Sequence, residues 1–266
     1  MAAADRLVFP LALFVLVYLA TLAALASFRP SAFYWLSLAG VVLATVVAIA
    51  VADHGKWDLG LAVRPAVALK DFAGGTIFAV LLIGGADLLI VIVSGLRHGP
   101  GTGFPWRELV VVFIPAAVGE ELLFRGYAFQ KLHRRWPRVT IVAVALAFAL
   151  VHGGNSNVTM LALLNIFLGG ILLGLAYALH CRLWFPIGLH VAWNLMSGPV
   201  LGYEVSGYLP EKTIFTTAGS GPLWQTGGAF GIEGSALLSA VEVAGILVLL
   251  WRMKHLRSEY HRAGIR

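Results

Sequence analysis

The sequence predicts an all-α, polytopic membrane protein of about eight transmembrane helices with a polar site inside the bundle, and three observations predict it. Only 12% of its 266 residues are charged and 59% are hydrophobic, whereas a soluble domain carries about 25% charged residues. Mean hydropathy is +0.87, and the apolar residues fall in runs long enough to cross a hydrocarbon layer of about 30 Å as helices. Lysine and arginine collect in alternate links between those runs, the pattern expected when positive residues are retained in the cytoplasm.

The runs lie near residues 7–27, 32–52, 72–95, 107–133, 138–152, 158–180, 184–200 and 235–252. The first has Arg6 ahead of it and ends in Ala24-Leu25-Ala26, a sequence that imitates signal-peptide cleavage. Its length instead reads as an uncleaved helix. The second link holds Lys56, Arg64 and Lys70, and the fourth holds Lys131, Arg134, Arg135 and Arg138. With both termini inside, the outer side receives only Arg29, Arg97, Arg107 and Lys212. An even number of spans follows, with N- and C-termini cytoplasmic.

The whole chain, 1–266, therefore reads as a single transmembrane domain with a motif-bearing core over 106–200, an extracytoplasmic loop over 201–234 and a basic cytoplasmic tail over 252–266. That loop is longer than ordinary connections, and its Tyr203, Tyr208, Phe215, Trp224 and Phe230 suit an interface. The tail is expected to meet anionic lipid headgroups. Short loops and a compact length point to a prokaryotic cytoplasmic membrane.

Several function classes are excluded or disfavoured. The net charge of +6 is spread between spans and tail instead of forming one patch, so nucleic acid is not an expected partner. A single cysteine, Cys181, rules out an intramolecular disulfide and a cysteine metal cage.

The chemistry concentrates in Gly119-Glu120-Glu121-Leu122-Leu123-Phe124-Arg125-Gly126. An ionised side chain at mid-membrane costs about 2.5–3.5 kcal/mol on insertion scales, so three in six residues need a reason. Glu121 and Arg125 are i and i+4 with the acid first, the favourable order for an intrahelical ion pair. Glu120 points about 100° away and is left as a candidate general base. Phe148 and His152 repeat the i, i+4 spacing, as do His190 and Asn194. Counting about 1.5 Å per residue from the nearest cytoplasmic charge puts Glu120, His152, His190 and Asn194 at depths of roughly 17, 21, 12 and 18 Å. One carboxylate, two imidazoles and an amide at shared depth suit water-activated acyl chemistry.

In that order on separate spans, Glu120-Glu121-x-x-x-Arg125, Phe148-x-x-x-His152 and His190-x-x-x-Asn194 resemble the three motifs of the CAAX-protease and bacteriocin-processing family (CPBP or Abi family) of intramembrane proteases. The resemblance covers about Trp106 to Leu195, and the stretch from Gly227-Gly228 to Gly234-Ser235 is similar too. It implies that Glu120 with His152 activates the attacking water, that His190 with Asn194 forms the oxyanion site, and that Glu121, Arg125 and Phe148 support them. It also implies a substrate that is a membrane-associated protein or peptide cut near its C-terminus: a prenylated CAAX protein, a bacteriocin or pheromone precursor, or a sorting tail.

Members of the family are often described as zinc metalloproteases, and Glu120, His152 and His190 would then be the ligands. There is no His-Glu-x-x-His, and Asn is a poor zinc ligand, so the cofactor expectation is none or Zn, with metal-free catalysis preferred. The rival functions are a non-catalytic binding or bacteriocin-immunity protein of the same fold and a proton-coupled transporter using Asp87 and Glu242. Asp87, Glu242, Asn165 and His180 each have the plainer reading of a packed polar group. Gly169, Gly170 and Gly174 read as close helix contacts. A reporter fused after Arg266 is predicted to behave as cytoplasmic; a periplasmic signal would overturn the eight-span arrangement.

Overall fold

The computed structural model describes residues 5–25, 33–219 and 221–262. Arg29, Ala26 and the tail beyond residue 262 lie outside the described residues, so the expectations placed on them have no structural counterpart here. The chain is an all-α membrane bundle. Among the described residues, six helices are long and apolar enough to cross a membrane.

Helices α1 (Asp5–Leu25) and α2 (Phe33–Ala52) pack together on one side of the bundle. Helix α3 (Pro65–Ser94) starts earlier than the hydropathy suggested, with Pro65 in its first turn, where a missing N–H is tolerated. It ends at Gly95 in the left-handed conformation. Because α3 begins before Lys70, Asp71 is buried within it and pairs with Arg182 at 2.5 Å and His180 at 3.3 Å. The link between α2 and α3 is correspondingly shorter than expected.

The predicted span over 107–133 is not one helix. Trp106–Glu108 runs through a π-helical turn, Leu109–Phe113, into Ile114–Phe124, and these form α4. Pro115 lacks the N–H that would close an ordinary turn on residue 111, which accounts for the widened turn just before it. The helix stops at Arg125 because Gly126 turns the backbone so tightly that a Cβ there would sit 2.0 Å from the Leu122 carbonyl oxygen. Beyond the break, α5 (Tyr127–Arg135) is a separate amphipathic helix with a basic last turn. Lys131 pairs with Asp53 at 2.6 Å, and the Arg134 guanidinium lies 3.9 Å from the Trp57 ring centroid, an arrangement suited to an interface.

Helices α6 (Pro137–Val151) and α7 (Met160–His180) follow, and Gly170 and Gly174 of α7 do face α6, at Ala145 and Ile141. The predicted span over 184–200 is also interrupted: α8 (Trp184–Leu195) continues as a π turn, Met196–Val200, which contains Pro199. The helices that carry Glu120 and His190 are thus each widened by a π turn that adjoins or contains a proline. Helix α8 lies against α3 with backbone in contact with backbone. A Cβ on Gly75 would be 2.1 Å from the Phe185 oxygen, and one on Gly188 would be 2.2 Å from the Phe72 oxygen. Lipid gives no hydrophobic drive to helix association, so such small-residue contacts supply the packing. Helix α9 (Ala236–Arg262) packs on α7 and α3.

The described part of the loop expected over 201–234 is folded. A two-stranded antiparallel ribbon, β1 (Arg97–Pro100) with β2 (Phe215–Ala218), pairs Arg97 with Ala218 and Pro100 with Phe215; no strand was expected from sequence. Tyr203 donates to Asp87 at 2.7 Å, and His98 lies 2.9 Å from the same carboxylate. Burial and the Asp87 carboxylate hold the Tyr203 hydroxyl protonated well above the usual phenol range, so it stays a donor. Tyr208 donates to Glu108, which also accepts from the Glu211 amide at 3.0 Å. Asp87 is therefore a loop anchor, its Oδ1 shared by Tyr203 and His98.

Candidate active site

The site is built on a buried ion pair. Arg125 Nη1 donates to Glu121 Oε1 at 3.0 Å, and neither side chain is exposed. The expected i, i+4 staple is present even though Arg125 lies just past the helix end, because its amide still donates to the Glu121 carbonyl at 2.8 Å. Arg125 Nη2 donates to the Gly170 carbonyl of α7 at 3.0 Å, and its guanidinium stands 4.8 Å from the Phe148 ring centroid of α6. Three helices thus meet on one cation.

Glu121 does more than balance that charge. His190 Nδ1 lies 2.8 Å from the same Glu121 Oε1. A carboxylate can only accept, so the imidazole donates from Nδ1 and turns Nε2 toward the cavity. Helical spacing alone assigned Glu121 to the pair with Arg125; the bond to His190 joins residues 69 apart, and helical spacing carries no signal of it.

His152, just after α6, is oriented by a comparable bond. Its Nδ1 lies 2.7 Å from the Phe148 carbonyl, again an acceptor only, so Nε2 is left facing Glu120. Phe148 is the apolar hub, with its ring centroid 4.6 Å from His152, 6.1 Å from His190 and 5.1 Å from Phe124. Glu120 Oε2 stands 4.0 Å from His152 Nε2 and 3.7 Å from His190 Nε2. Both distances exceed a direct hydrogen bond. Glu120, His152, His190 and Asn194 all line one cavity of about 720 Å³. The four residues expected to share a depth therefore share a space.

Glu233, absent from the expectations, braces the outer end of that cavity. It accepts from Trp193 Nε1 at 3.0 Å and from the Ser206 amide and hydroxyl at 2.8 and 2.7 Å. Asn165, an ambiguous polar residue in sequence, donates to the Glu233 and Ser235 carbonyls, each at 2.8 Å, and accepts from the Ser239 hydroxyl at 2.5 Å. It locks α7 to the loop and to α9. The only sequence signal for Glu233 was its place inside the similar Gly-rich stretch.

The metal question has a geometric side. Both histidines direct Nδ1 to an oxygen acceptor, as metal ligands do. Yet the Glu120–histidine donor separations of 3.7 and 4.0 Å exceed the roughly 3.3 Å expected between ligands on one tetrahedral zinc with bonds of about 2.0–2.1 Å. Among the described residues, no group of three His, Cys, Asp or Glu is disposed to hold a metal ion.

The fold and cavity define an integral membrane protein of the all-α class with a chamber inside the bundle in which a few polar groups stand among apolar side chains. Residues 102–196 match the family model described as "Type II CAAX prenyl endopeptidase Rce1-like", a stretch that contains all three motifs. Over that stretch the chain is similar to the family that the motifs resemble. Comparisons with curated proteins and with solved structures return no match.

Removing one partner of a buried ion pair leaves the other charge uncompensated, at a cost of about 3–5 kcal/mol. Arg125→Ala is therefore predicted to lower the melting temperature in detergent sharply and to reduce folded yield. A variant melting like the unsubstituted protein would show that the pair does not hold α4, α6 and α7 together.

Proposed function

We propose that the chain is an intramembrane endopeptidase that hydrolyses a peptide bond of a membrane-associated protein or peptide near its C-terminus, with Glu120 as general base. The observation that carries this reading is the position of Glu120 Oε2, between the Nε2 atoms of His152 and His190 at separations that suit one shared water. Glu120 takes a proton from that water as its oxygen bonds to the scissile carbonyl carbon. His152, with Nδ1–H fixed on Phe148, offers the Nε2 lone pair to the remaining water hydrogen and so aims the oxygen.

The carbonyl oxygen becomes an oxyanion as the tetrahedral centre forms. His190 and Asn194, which both line the cavity, are the donors that receive it in this reading. When Nε2 of His190 carries a proton, the ring is an imidazolium, and Glu121 at 2.8 Å from Nδ1 is its counter-charge. Collapse breaks the C–N bond, and Glu120 returns its proton to the leaving amine. No step requires a metal, in keeping with the wide donor separations.

The cavity wall supports a substrate that arrives from the membrane. Leu22, Phe33, Leu123 and Val151 line it alongside the polar centre, and Phe33 and Val151 are also exposed on the outside of the bundle. An apolar flank of the substrate can remain in lipid while its scissile bond reaches Glu120. The prenyl endopeptidase named in the family description fits this class, as do membrane-anchored peptide precursors.

Glu120→Gln keeps size and removes the base, and is predicted to slow cleavage of a membrane-anchored reporter in proteoliposomes by about 10²–10⁴-fold. Unchanged processing would favour a non-catalytic binding protein of the same fold. In the same assay chelator-treated protein is expected to cleave at full rate; loss restored by zinc would replace the metal-free route.

A further inference from the structure

One carboxyl in the cavity has no partner. Glu242 of α9 is 1% exposed and lines the same cavity as Glu120, yet its Oε2 makes no hydrogen bond. Buried polar atoms are normally paired, and an unpaired carboxyl at this depth is costly. The acids nearby are occupied: Glu121 by Arg125 and His190, and Glu233 by Trp193 and Ser206. Glu121 Oε2 is likewise buried without a hydrogen bond, but Glu121 has a counter-charge on Oε1; among the described residues Glu242 has neither a hydrogen bond nor an ion pair.

Its surroundings describe what would satisfy it. A Cβ on Gly169 would stand 3.3 Å from Glu242 Oε1, so the bare glycine leaves the approach to the carboxyl free of a side chain. Leu172 and Leu173 line the same space and offer an apolar wall. Among the described residues the cavity lining includes Glu120, Glu233 and Glu242 but no lysine or arginine, and the nearby Arg125 is spent on Glu121 and Gly170. The described lining of the chamber is rich in acceptors, has no lysine or arginine, and sets Leu172 and Leu173 in the same space as an unpaired acid.

The geometry points to Glu242 as a specificity-determining residue that receives a lysine side chain of the substrate, its aliphatic stem along Leu172 and Leu173 and its ammonium on the unpaired carboxyl oxygen. The inference rests on the proteolytic reading above. It also implies that the chamber disfavours substrates with an acidic side chain at that position, since a second carboxylate would meet Glu242 with no cation to separate them.

The test uses the full chain in proteoliposomes with membrane-anchored, quenched-fluorescent peptides that differ only in carrying lysine, norleucine or glutamate at one position, scanned along the residues flanking the cleaved bond. At one position lysine is expected to exceed norleucine in kcat/KM by about 10- to 100-fold, the range for a hydrogen bond to a charged group, with glutamate poorest. The lysine-to-norleucine ratio should fall to near one in Glu242→Gln and persist in Glu242→Asp. Each ratio is taken within one preparation, so partial loss of folded protein leaves it readable. A ratio near one at every position in the unsubstituted protein, or a ratio unchanged in Glu242→Gln, overturns the assignment. If no peptide is cut faster by the unsubstituted protein than by Glu120→Gln, the proteolytic reading itself fails and this inference falls with it.

Discussion

The ion pair between Arg125 and Glu121 is the interaction on which the remaining geometry depends. An isolated guanidinium at this depth would be expensive, and Arg125 is held by a carboxylate, a backbone carbonyl and an aromatic face at once. Each partner comes from a different helix: Glu121 from α4, Gly170 from α7 and Phe148 from α6. Satisfying one charge therefore fixes the relative placement of three helices. The fourth, α8, is tied in through His190, which shares Glu121 Oε1 with Arg125.

The pair needs close helix contacts around it. A guanidinium can reach the Gly170 carbonyl only where α6 and α7 pack tightly, and a Cβ on Gly170 would lie 2.9 Å from Ala145 Cα. On the far side, Gly75 and Gly188 bring α3 and α8 into backbone contact, which sets the rotation of the helix carrying His190 and Asn194. Apolar side chains that face outward, such as Leu81, Ile92 and Leu150, have lipid for a neighbour and contribute little to this specificity. Small residues and buried polar bonds therefore do the positioning that a hydrophobic core does in a soluble protein.

Much of this was legible in the sequence because it rests on helical periodicity. The i, i+4 relation of Glu121 and Arg125, and the common depth of Glu120, His152, His190 and Asn194, follow from rise per residue and the placement of basic links. Three features did not follow. The break at Arg125–Gly126 depends on a contact between Gly126 and the Leu122 carbonyl, invisible to a hydropathy run that continues past it. The widened turns at Leu109–Phe113 and Met196–Val200 change local pitch without changing apolarity. The outer loop looked irregular because its order comes from distant partners: Glu233 with Ser206 and Trp193, Tyr208 with Glu108, and Tyr203 with Asp87.

The adjacency of Glu120 and Glu121 is then a consequence of how a helix distributes direction. Two carboxylates on consecutive residues diverge by about 100°. One can enter the protein-filled side of α4, where Arg125 and His190 occupy the same oxygen, while the other faces the cavity with a side chain 31% exposed. Had the two been spaced i and i+4, both would face the same neighbours and compete for one guanidinium. Consecutive placement lets a charged group that must be fully neutralised to be stable sit beside one that must stay free of any permanent partner to exchange a proton. His190 bridges the two environments, with Nδ1 on Glu121 and Nε2 toward Glu120. The orientation of the imidazole in the cavity is therefore set by the carboxylate that never enters it.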